Sequence, residues 1–196
     1  MTVTVPDSAV ARGALSLATS VESAVLVRHS QRTYLFGVGL LAAVGRTADA
    51  EVLYVASLLH DLALGTDLDD GTTPFQLRGA GLAARFMLDG GRTEAEAATV
   101  YDAVAFHMDL ASADETRAEV AGVHLGAALD VIGLRLDQLD RSVVDEVLSL
   151  LPATGLAAEL VPIFAHEAAS KPYSTAGILV RDFAFLDLIG SGPFAH

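Results

Sequence analysis

Cysteine is absent from the 196 residues of this chain. Its absence excludes disulfide bonds, thiolate metal sites and cysteine nucleophiles. A chain without cysteine fits a reducing compartment. Residues 1–20 also lack the basic start and apolar core of a secretory signal. We therefore expect a cytoplasmic protein.

Basic residues are scarce as well. Twelve of them stand against 25 acidic residues, which gives a formal net charge of −13, and Lys171 is the only lysine. A strongly acidic surface repels nucleic-acid phosphates and anionic lipid headgroups. No apolar run reaches the roughly 18–20 residues that a helix needs to cross a bilayer. We expect a small-molecule substrate as the partner, with no nucleic acid and no membrane.

The spacing of the apolar residues predicts the fold class. They recur at intervals of three and four residues, and strict alternation is rare, so the pattern predicts an all-α fold. The length suits one domain, which we place over residues 1–196. We expect a bundle of eight or nine helices with a core over about 26–135 and C-terminal helices over 140–190 packed on it. The predicted helices cover residues 8–26, 29–44, 48–63, 76–89, 94–108, 115–132, 140–150, 156–169 and 175–188.

Local signals mark the helix starts and one long loop. Thr93 with Glu96 three residues later matches a capping box, and Thr47 is a plausible N-cap for the following helix. The segment 65–75, GTDLDDGTTPF, is rich in Gly, Pro, Asp and Thr, which predicts a loop. Because this loop follows the doublet His60-Asp61 directly, a role as a lid is one possibility and a solvated surface loop is the other.

Ionisable residues within apolar helices identify a candidate metal site. His60 and Asp61 lie near the C-terminal end of an otherwise apolar predicted helix, and Asp130 is flanked by apolar residues. A buried carboxylate is normally paired or bound to a metal, because burying it alone costs several kcal/mol. His29, at the predicted start of an earlier helix, adds a second imidazole. Two imidazoles and two carboxylates suit a divalent ion such as Zn, Mn, Fe, Co or Ni.

Each of these residues also has a purely structural interpretation. The doublet His60-Asp61 can be a buried hydrogen-bonded pair at a helix end. His29 can be a surface residue at a helix start, and Asp130 can pair with Arg135. Under the metal interpretation, the ion lowers the pKa of a bound water toward neutrality and so supplies hydroxide near pH 7.

The order His, His-Asp, Asp along predicted helices resembles the HD-domain superfamily of metal-dependent hydrolases. The match extends over about residues 28–180 and is closest to the cyanamide hydratase-like branch. The blocks that carry it are RHSQRTYLFG (28–37), ASLLHDLALG (56–65), GAGLAARFMLDGG (79–91), DAVAFHMD (102–109), HLGAALDVIG (124–133) and KPYSTAG (171–177).

The resemblance implies a helical HD domain with one metal ion, for which zinc is the first choice and Fe, Mn, Co or Ni the others. It also implies hydration of a small nitrile-like substrate, with cyanamide going to urea as the precedent, or hydrolysis of another small molecule. The residues at the ligand positions are His29, His60, Asp61 and Asp130.

The sequence departs from the pattern of this branch after the long loop. Where relatives usually have F-E-x-x-G-A, residues 75–80 are FQLRGA. Gln76 cannot act as an ionised general base. Arg78 brings a permanent cation close to where oxygenase-type members have an extra histidine for a second metal. We therefore expect a single metal ion.

Further residues are candidates for catalysis and for the substrate pocket. Asp61 or His107 is expected to take the proton of the attacking water. The alternative is a core histidine for His107, a packing role for His124 and solvation at a helix end for Lys171. The candidates for the pocket are Tyr34, Gln76, Arg78, His124 and Lys171.

Three functions remain open from the sequence. The first is a mononuclear hydrolase or hydratase in which water attacks an electrophilic carbon. The second is a phosphohydrolase of a nucleotide or phosphate ester, which needs cations near the metal, with Arg28, Arg32 and Arg78 as sources. The third is a non-catalytic helical domain that binds a partner or forms a homo-oligomer through an alanine-rich apolar face.

Overall fold

The computed structural model describes residues 4–195, and all of the regular secondary structure in that range is helical. This confirms the predicted all-α class. The first three residues and His196, which the predicted domain includes, lie outside the described range. None of the described helices combines the length and the apolar content needed to span a bilayer.

The α-helices are α1 (Ala9–Val21), α2 (Ala24–Ala43), α3 (Ala50–Leu59), α4 (Phe75–Asp89), α5 (Glu94–Ala105), α6 (Ala118–Ile132), α7 (Arg141–Leu150), α8 (Leu156–Ser170), α9 (Thr175–Phe183) and α10 (Phe185–Gly190). Short 3-10 helices cover Leu110–Asp114 and Leu136–Gln138.

The start of α2 differs from the prediction in a way that matters for the site. The predicted helix 8–26 ends at Val21, and a new helix begins at Ala24 because the Ser23 side chain accepts a hydrogen bond from the Leu26 N–H at 3.1 Å. His29 is therefore a buried residue in the second turn of α2, and the prediction that it begins a helix is wrong.

Other helix ends follow their capping chemistry. Thr93 and Glu96 form the predicted capping box. Thr47 is not the cap of α3; Asp49 is, and its carboxylate accepts from two backbone N–H groups. The predicted last helix, 175–188, is divided at Ala184, whose φ of 51° lies in the left-handed region and so interrupts the helix.

Helices α2 and α6 approach to backbone contact at the centre of the molecule. A Cβ atom added to Gly126 would lie 1.9 Å from the carbonyl oxygen of Thr33, and one added to Gly37 would lie 2.4 Å from that of Gly122. Only glycine permits this approach, because any larger residue would overlap the facing backbone. The contact places Arg32 on α2 against Asp130 on α6.

Helix α3 runs through the core. Every residue from 52 to 59 is buried, as expected for a helix that is apolar on most faces. It ends at Leu59, and His60 and Asp61, which follow the helix end, are buried in the protein interior. Helix α8 packs against α2, and α10 packs against both α8 and α6, which forms a second apolar cluster beside the doublet.

Candidate metal centre

Three buried donor atoms converge where α2 meets the end of α3. The two Nε2 atoms of His29 and His60 are 3.1 Å apart, and Asp61 Oδ2 lies 3.5 Å from the first and 3.2 Å from the second. Tetrahedral zinc with bonds of about 2.0–2.1 Å places neighbouring ligand atoms roughly 3.3 Å apart. The donor types and their separations therefore fit a divalent metal ion.

The second ring nitrogen of each histidine is held by an acceptor. His29 Nδ1 donates to Asp130 Oδ2 at 2.7 Å, and His60 Nδ1 donates to the carbonyl oxygen of Ser57 at 2.7 Å. Metal-binding histidines usually donate their other N–H to a carboxylate or a carbonyl, which fixes the tautomer and the ring orientation. Both rings thus present Nε2 to the cluster.

Asp130 lies behind His29, on the Nδ1 side of its ring. Its Oδ1 accepts from Arg32 Nε at 2.7 Å, and its Oδ2 accepts from Arg32 Nη2 at 2.8 Å as well as from His29. The carboxylate therefore orients His29 and pairs with Arg32 rather than with Arg135. Of the described residues, the group whose donor atoms converge comprises His29, His60 and Asp61. A fourth-ligand role for Asp130 stays a prediction.

The cluster holds opposite charges in the interior. Burial lowers the pKa of His29, but its hydrogen bonds to Asp130 and Asp61 outweigh burial and raise that pKa to about 9. Burial raises the pKa of Asp61, but His60 and His29 hold it well below its usual range. His29 is thus protonated at pH 7, and a metal ion bound to its Nε2 would take the place of a proton.

Two more buried histidines follow beyond Asp61: His107 Nε2 lies 3.6 Å from Asp61 Oδ1, and His124 contacts His107. His107 Nδ1 donates to the Val104 carbonyl at 2.7 Å, and His124 Nδ1 donates to the His107 carbonyl at 2.8 Å. Since carbonyl oxygens only accept, each Nε2 is left as an acceptor. Burial lowers the pKa of His124 and lowers that of His107 to about 3, so both rings are neutral at pH 7.

Several buried oxygen atoms near the cluster lack a hydrogen-bond partner among the described residues. Asp61 Oδ1 is one of them, and His107 Nε2 lies 3.6 Å from it. Both carboxyl oxygens of Glu22 are others. Burial, followed by the charge of Asp61, raises the pKa of Glu22 to about 8. Unpaired buried acceptors are rare in proteins and point to a place where a ligand or water binds.

Sequence reasoning missed the parts played by Glu22 and Arg32. Glu22 gave no signal, because it follows α1 at a helix boundary that the apolar pattern did not reveal. Arg32 was considered only as a phosphate-binding cation. The spacing of three residues between His29 and Arg32 could have indicated its role. Residues with this spacing lie on one face of a helix and can bind the same carboxylate.

A cavity of about 140 Å³ opens onto this cluster. Helix α6 contributes small and branched side chains to its wall, including Ala128 and Val131, and α8 contributes Leu160 and Phe164. The C-terminal helices add Phe183, Phe185 and Leu188 to the far side. The polar residues that line it are His29, His60, Asp61, His107 and His124.

Of the predicted pocket residues, only His124 lines this cavity, together with the predicted catalytic residues Asp61 and His107. Tyr34 lies elsewhere: its hydroxyl donates to the Thr4 carbonyl at 3.0 Å, and its ring packs edge-on against Tyr54. Tyr34 follows His29 by five residues, which turns it about 140° around the helix axis and away from the cavity lining. Its predicted contact with substrate is therefore not supported by its position.

The segment 75–80 also lies outside the cavity lining. Arg78 Nε donates to the Leu68 carbonyl at 3.1 Å and so holds the preceding loop. Gln76 is buried at the start of α4, and its Oε1 has no hydrogen-bond partner among the described residues. The prediction that these two residues contact substrate is therefore not supported by their position.

Lys171 belongs to a separate buried ion cluster. Its Nζ lies 2.7 Å from Asp69 Oδ1 and 2.8 Å from Glu167 Oε2, and Glu167 Oε1 accepts from the Phe75 N–H at 3.1 Å. Asp69 is therefore paired and not a freely solvated loop charge. The cluster ties the loop 65–74 to α8, and Lys171 does not line the cavity, so its predicted contact with substrate is not supported by its position.

The arginines considered for phosphate binding also have other partners. Arg28 Nε donates to the Pro152 carbonyl at 3.0 Å, and Arg32 is fully buried against Asp130. With Arg78 held at Leu68, none of the three lines the cavity.

Comparisons with protein-family models and with curated proteins find no match to this chain. The resemblance to the HD-domain superfamily consequently rests on the ordered sequence blocks. The convergence of His29, His60 and Asp61 shows a group that could hold a metal ion, and the family stays a prediction.

Proposed function

We propose that this protein is a metal-dependent hydrolase or hydratase of the HD type, which acts on a small molecule through a single divalent metal ion. The ligands in this proposal are His29, His60 and Asp61, and Asp130 holds His29 in position through its Nδ1. Zinc is the first choice of metal because the two imidazoles and the carboxylate suit it. The observation that carries the proposal is the convergence of three buried donor atoms whose rings are already oriented.

A metal ion at this position would act as a Lewis acid and lower the pKa of a bound water. The chain itself provides acceptors for the protons of an attacking water. Asp61 Oδ1 has no other partner among the described residues, and His107 Nε2 lies 3.6 Å from it. In this proposal Asp61 Oδ1 takes the proton, and His107 Nε2 orients the water by accepting a hydrogen bond.

The second candidate function, a phosphohydrolase, fits the floor of the cavity less well. A phosphate group needs hydrogen-bond donors and cations around its oxygens. The histidines of the cavity floor that lie beyond the metal cluster, His107 and His124, are neutral and present acceptors. A carbon electrophile attacked by water fits such a floor better than a phosphoryl group does.

A substrate panel with reconstituted protein tests this proposal. The protein is stripped with a chelator, reloaded separately with Zn, Mn, Fe, Co or Ni, and assayed on cyanamide, small nitriles and phosphate monoesters. We expect turnover of a nitrile-like compound with at least one metal. The His107→Gln variant is expected to lose about 10- to 100-fold in turnover, which corresponds to the loss of one hydrogen bond of about 1.5–3 kcal/mol to the attacking water. Turnover of phosphate esters alone, or no metal-dependent turnover, would contradict the proposal.

A further inference from the structure

The wall of the cavity differs sharply in chemistry from its floor. Above the histidines, the described lining consists of aliphatic and aromatic side chains together with Met108. Phe164 meets Phe185 edge-on, with ring centroids 5.1 Å apart, and meets Phe75 at 5.9 Å. Edge-on aromatic contacts of this kind form a rigid apolar surface. Cyanamide alone would leave most of that surface uncovered.

The mouth of the cavity is apolar too. Leu110, Phe183 and Leu188 line it and are 61%, 52% and 43% exposed. Exposed side chains of this size, gathered around one opening, commonly mark a ligand-binding site. An apolar compound approaching the cavity would therefore meet apolar surface at the opening and along the wall, and polar atoms only at the floor.

Charge and size limit the occupant further. No lysine, arginine or other side-chain cation apart from the histidines lines the cavity within the described residues, and Asp61 adds a negative charge. An anionic compound would thus lack a counter-charge beyond the metal itself. Engineered protein cavities of roughly 150 Å³ bind benzene, so about 140 Å³ suits an apolar group of similar size.

From the wall, the mouth and the charge distribution, we infer that the substrate is an uncharged molecule with an apolar body of about benzene size and one compact electrophilic head. The head, a nitrile or a similar group, lies at Asp61 and His107, while the body lies between Ala128 and Phe164. This inference rests on the proposed function for the placement of the head, but the apolar body follows from the cavity alone.

A homologous ligand series tests the inference. Dissociation constants of n-alkanenitriles from acetonitrile to hexanenitrile are measured by ligand-observed NMR, with metal-stripped and with zinc-loaded protein. We expect affinity to rise about fourfold per methylene group, the factor that corresponds to ~0.8 kcal/mol, until the cavity is filled. In the metal-stripped protein, hexyl phosphate is expected to bind at least about tenfold more weakly than hexanenitrile, because its charge would be buried beside Asp61 and the one nearby cation, His29, is already paired with Asp130.

A matched pair of variants localises the binding. Ala128→Phe fills the cavity and leaves less room for the alkyl chain. It is expected to weaken the binding of hexanenitrile at least about tenfold and to change the binding of acetonitrile little. Ala98→Phe makes the same change at an exposed position on α5 and is expected to leave the series unchanged. Circular dichroism of both variants shows whether they fold.

The outcomes separate this inference from the proposed function. An affinity that does not change with chain length, or an Ala128→Phe variant that binds like Ala98→Phe, would overturn the inference even if the protein binds metal. Tighter binding of hexyl phosphate than of hexanenitrile to the metal-stripped protein would overturn it as well. A rising series in a protein that binds no zinc would instead uphold the apolar cavity and overturn the proposed metal chemistry.

Discussion

Two buried clusters of charged residues can be compared within this molecule. In the Lys171 cluster each charged group has partners: Lys171 pairs with Asp69 and Glu167, and Glu167 also accepts from a backbone N–H. In the cluster around Asp61, one carboxylate oxygen lacks a partner among the described residues, although the group is almost fully buried. A saturated ion cluster holds the fold together, whereas an unsaturated one marks a place for a ligand.

The clusters also differ in what surrounds them. The Lys171 cluster joins a loop to α8 and does not line the cavity. The Asp61 cluster forms the floor of the cavity, beneath an apolar wall. The sequence does not distinguish Lys171 from Asp61 as a candidate functional residue. Only their partners in the folded protein separate the ion-cluster residue from the candidate metal ligand.

The largest change in stability is expected on breaking the ion pair behind the metal site. Arg32→Met removes both hydrogen bonds that Arg32 donates to Asp130, and the buried carboxylate then keeps His29 as its one partner among the described residues. Loss of one partner from a buried pair typically costs about 3–5 kcal/mol in the free energy of unfolding. Urea denaturation of the variant and of the wild type measures this difference.

A surface pair on α4 provides the control for Arg32. Arg85 and Asp89 form an i,i+4 pair in which both side chains are more than half exposed. Arg85→Gln is expected to leave the urea midpoint almost unchanged, because such exposed pairs contribute little. If Arg32→Met were as mild as Arg85→Gln, the view that Arg32 and Asp130 hold His29 in place would be wrong.

The stability of metal-stripped protein should depend on pH through His29. Its pKa is about 9 in the folded protein and about 6.5 when unfolded, so the folded state binds the proton more tightly. The contribution of His29 is complete below pH 6.5 and is lost as the pH rises through 9, by up to about 3 kcal/mol. With zinc bound, His29 carries no such proton, and this loss should disappear.

Glu22 also contributes to the pH dependence of the unfolding free energy in this range, so a Glu22 variant provides the control. Its pKa is raised from 4.5 to about 8, so it too favours folding at low pH, and its contribution is lost as the pH rises through 8. In the Glu22→Gln variant the remaining loss between pH 6.5 and 9 is expected to come from His29. A metal-stripped Glu22→Gln variant whose unfolding free energy stays constant over that range would contradict the assignment.

A smaller effect is expected at the saturated cluster. Lys171→Met leaves Glu167 without its cation but retains the hydrogen bond from Phe75, and Asp69 is partly exposed. We expect a loss of about 2 kcal/mol, between the values typical of surface and of buried pairs. Isothermal titration with zinc should give the same metal affinity as the wild type, and a large drop in that affinity would show that the two clusters are coupled.

The all-α class and most helix bounds followed from the sequence because apolar spacing and capping chemistry act locally. The capping box at Thr93 and the apolar core helix before His60 are examples. The break before α2 was missed because Val21 and Ala24 continue the apolar pattern, and only the side chain of Ser23 separates the helices. That error placed His29 at a helix start.

The site was predictable as a set of ionisable residues but not as a set of contacts. His29, His60 and Asp61 do converge, as the metal hypothesis requires. The positions of Tyr34, Arg78 and Lys171 depend on which helix lies opposite, and that depends on the close approach of α2 and α6 and on the path of the 65–74 loop. Such long-range pairings leave no periodic signal in the chain.

The most direct test of the central claim is the metal content of purified protein beside two aspartate variants. Asp61→Asn removes a proposed ligand, and Asp69→Asn makes the same change in the saturated cluster. We predict about one tightly bound divalent metal per chain in the wild type and in Asp69→Asn, and almost none in Asp61→Asn. Little metal in all three proteins after incubation with Zn, Mn, Fe, Co or Ni, or equal metal in all three, would contradict the account.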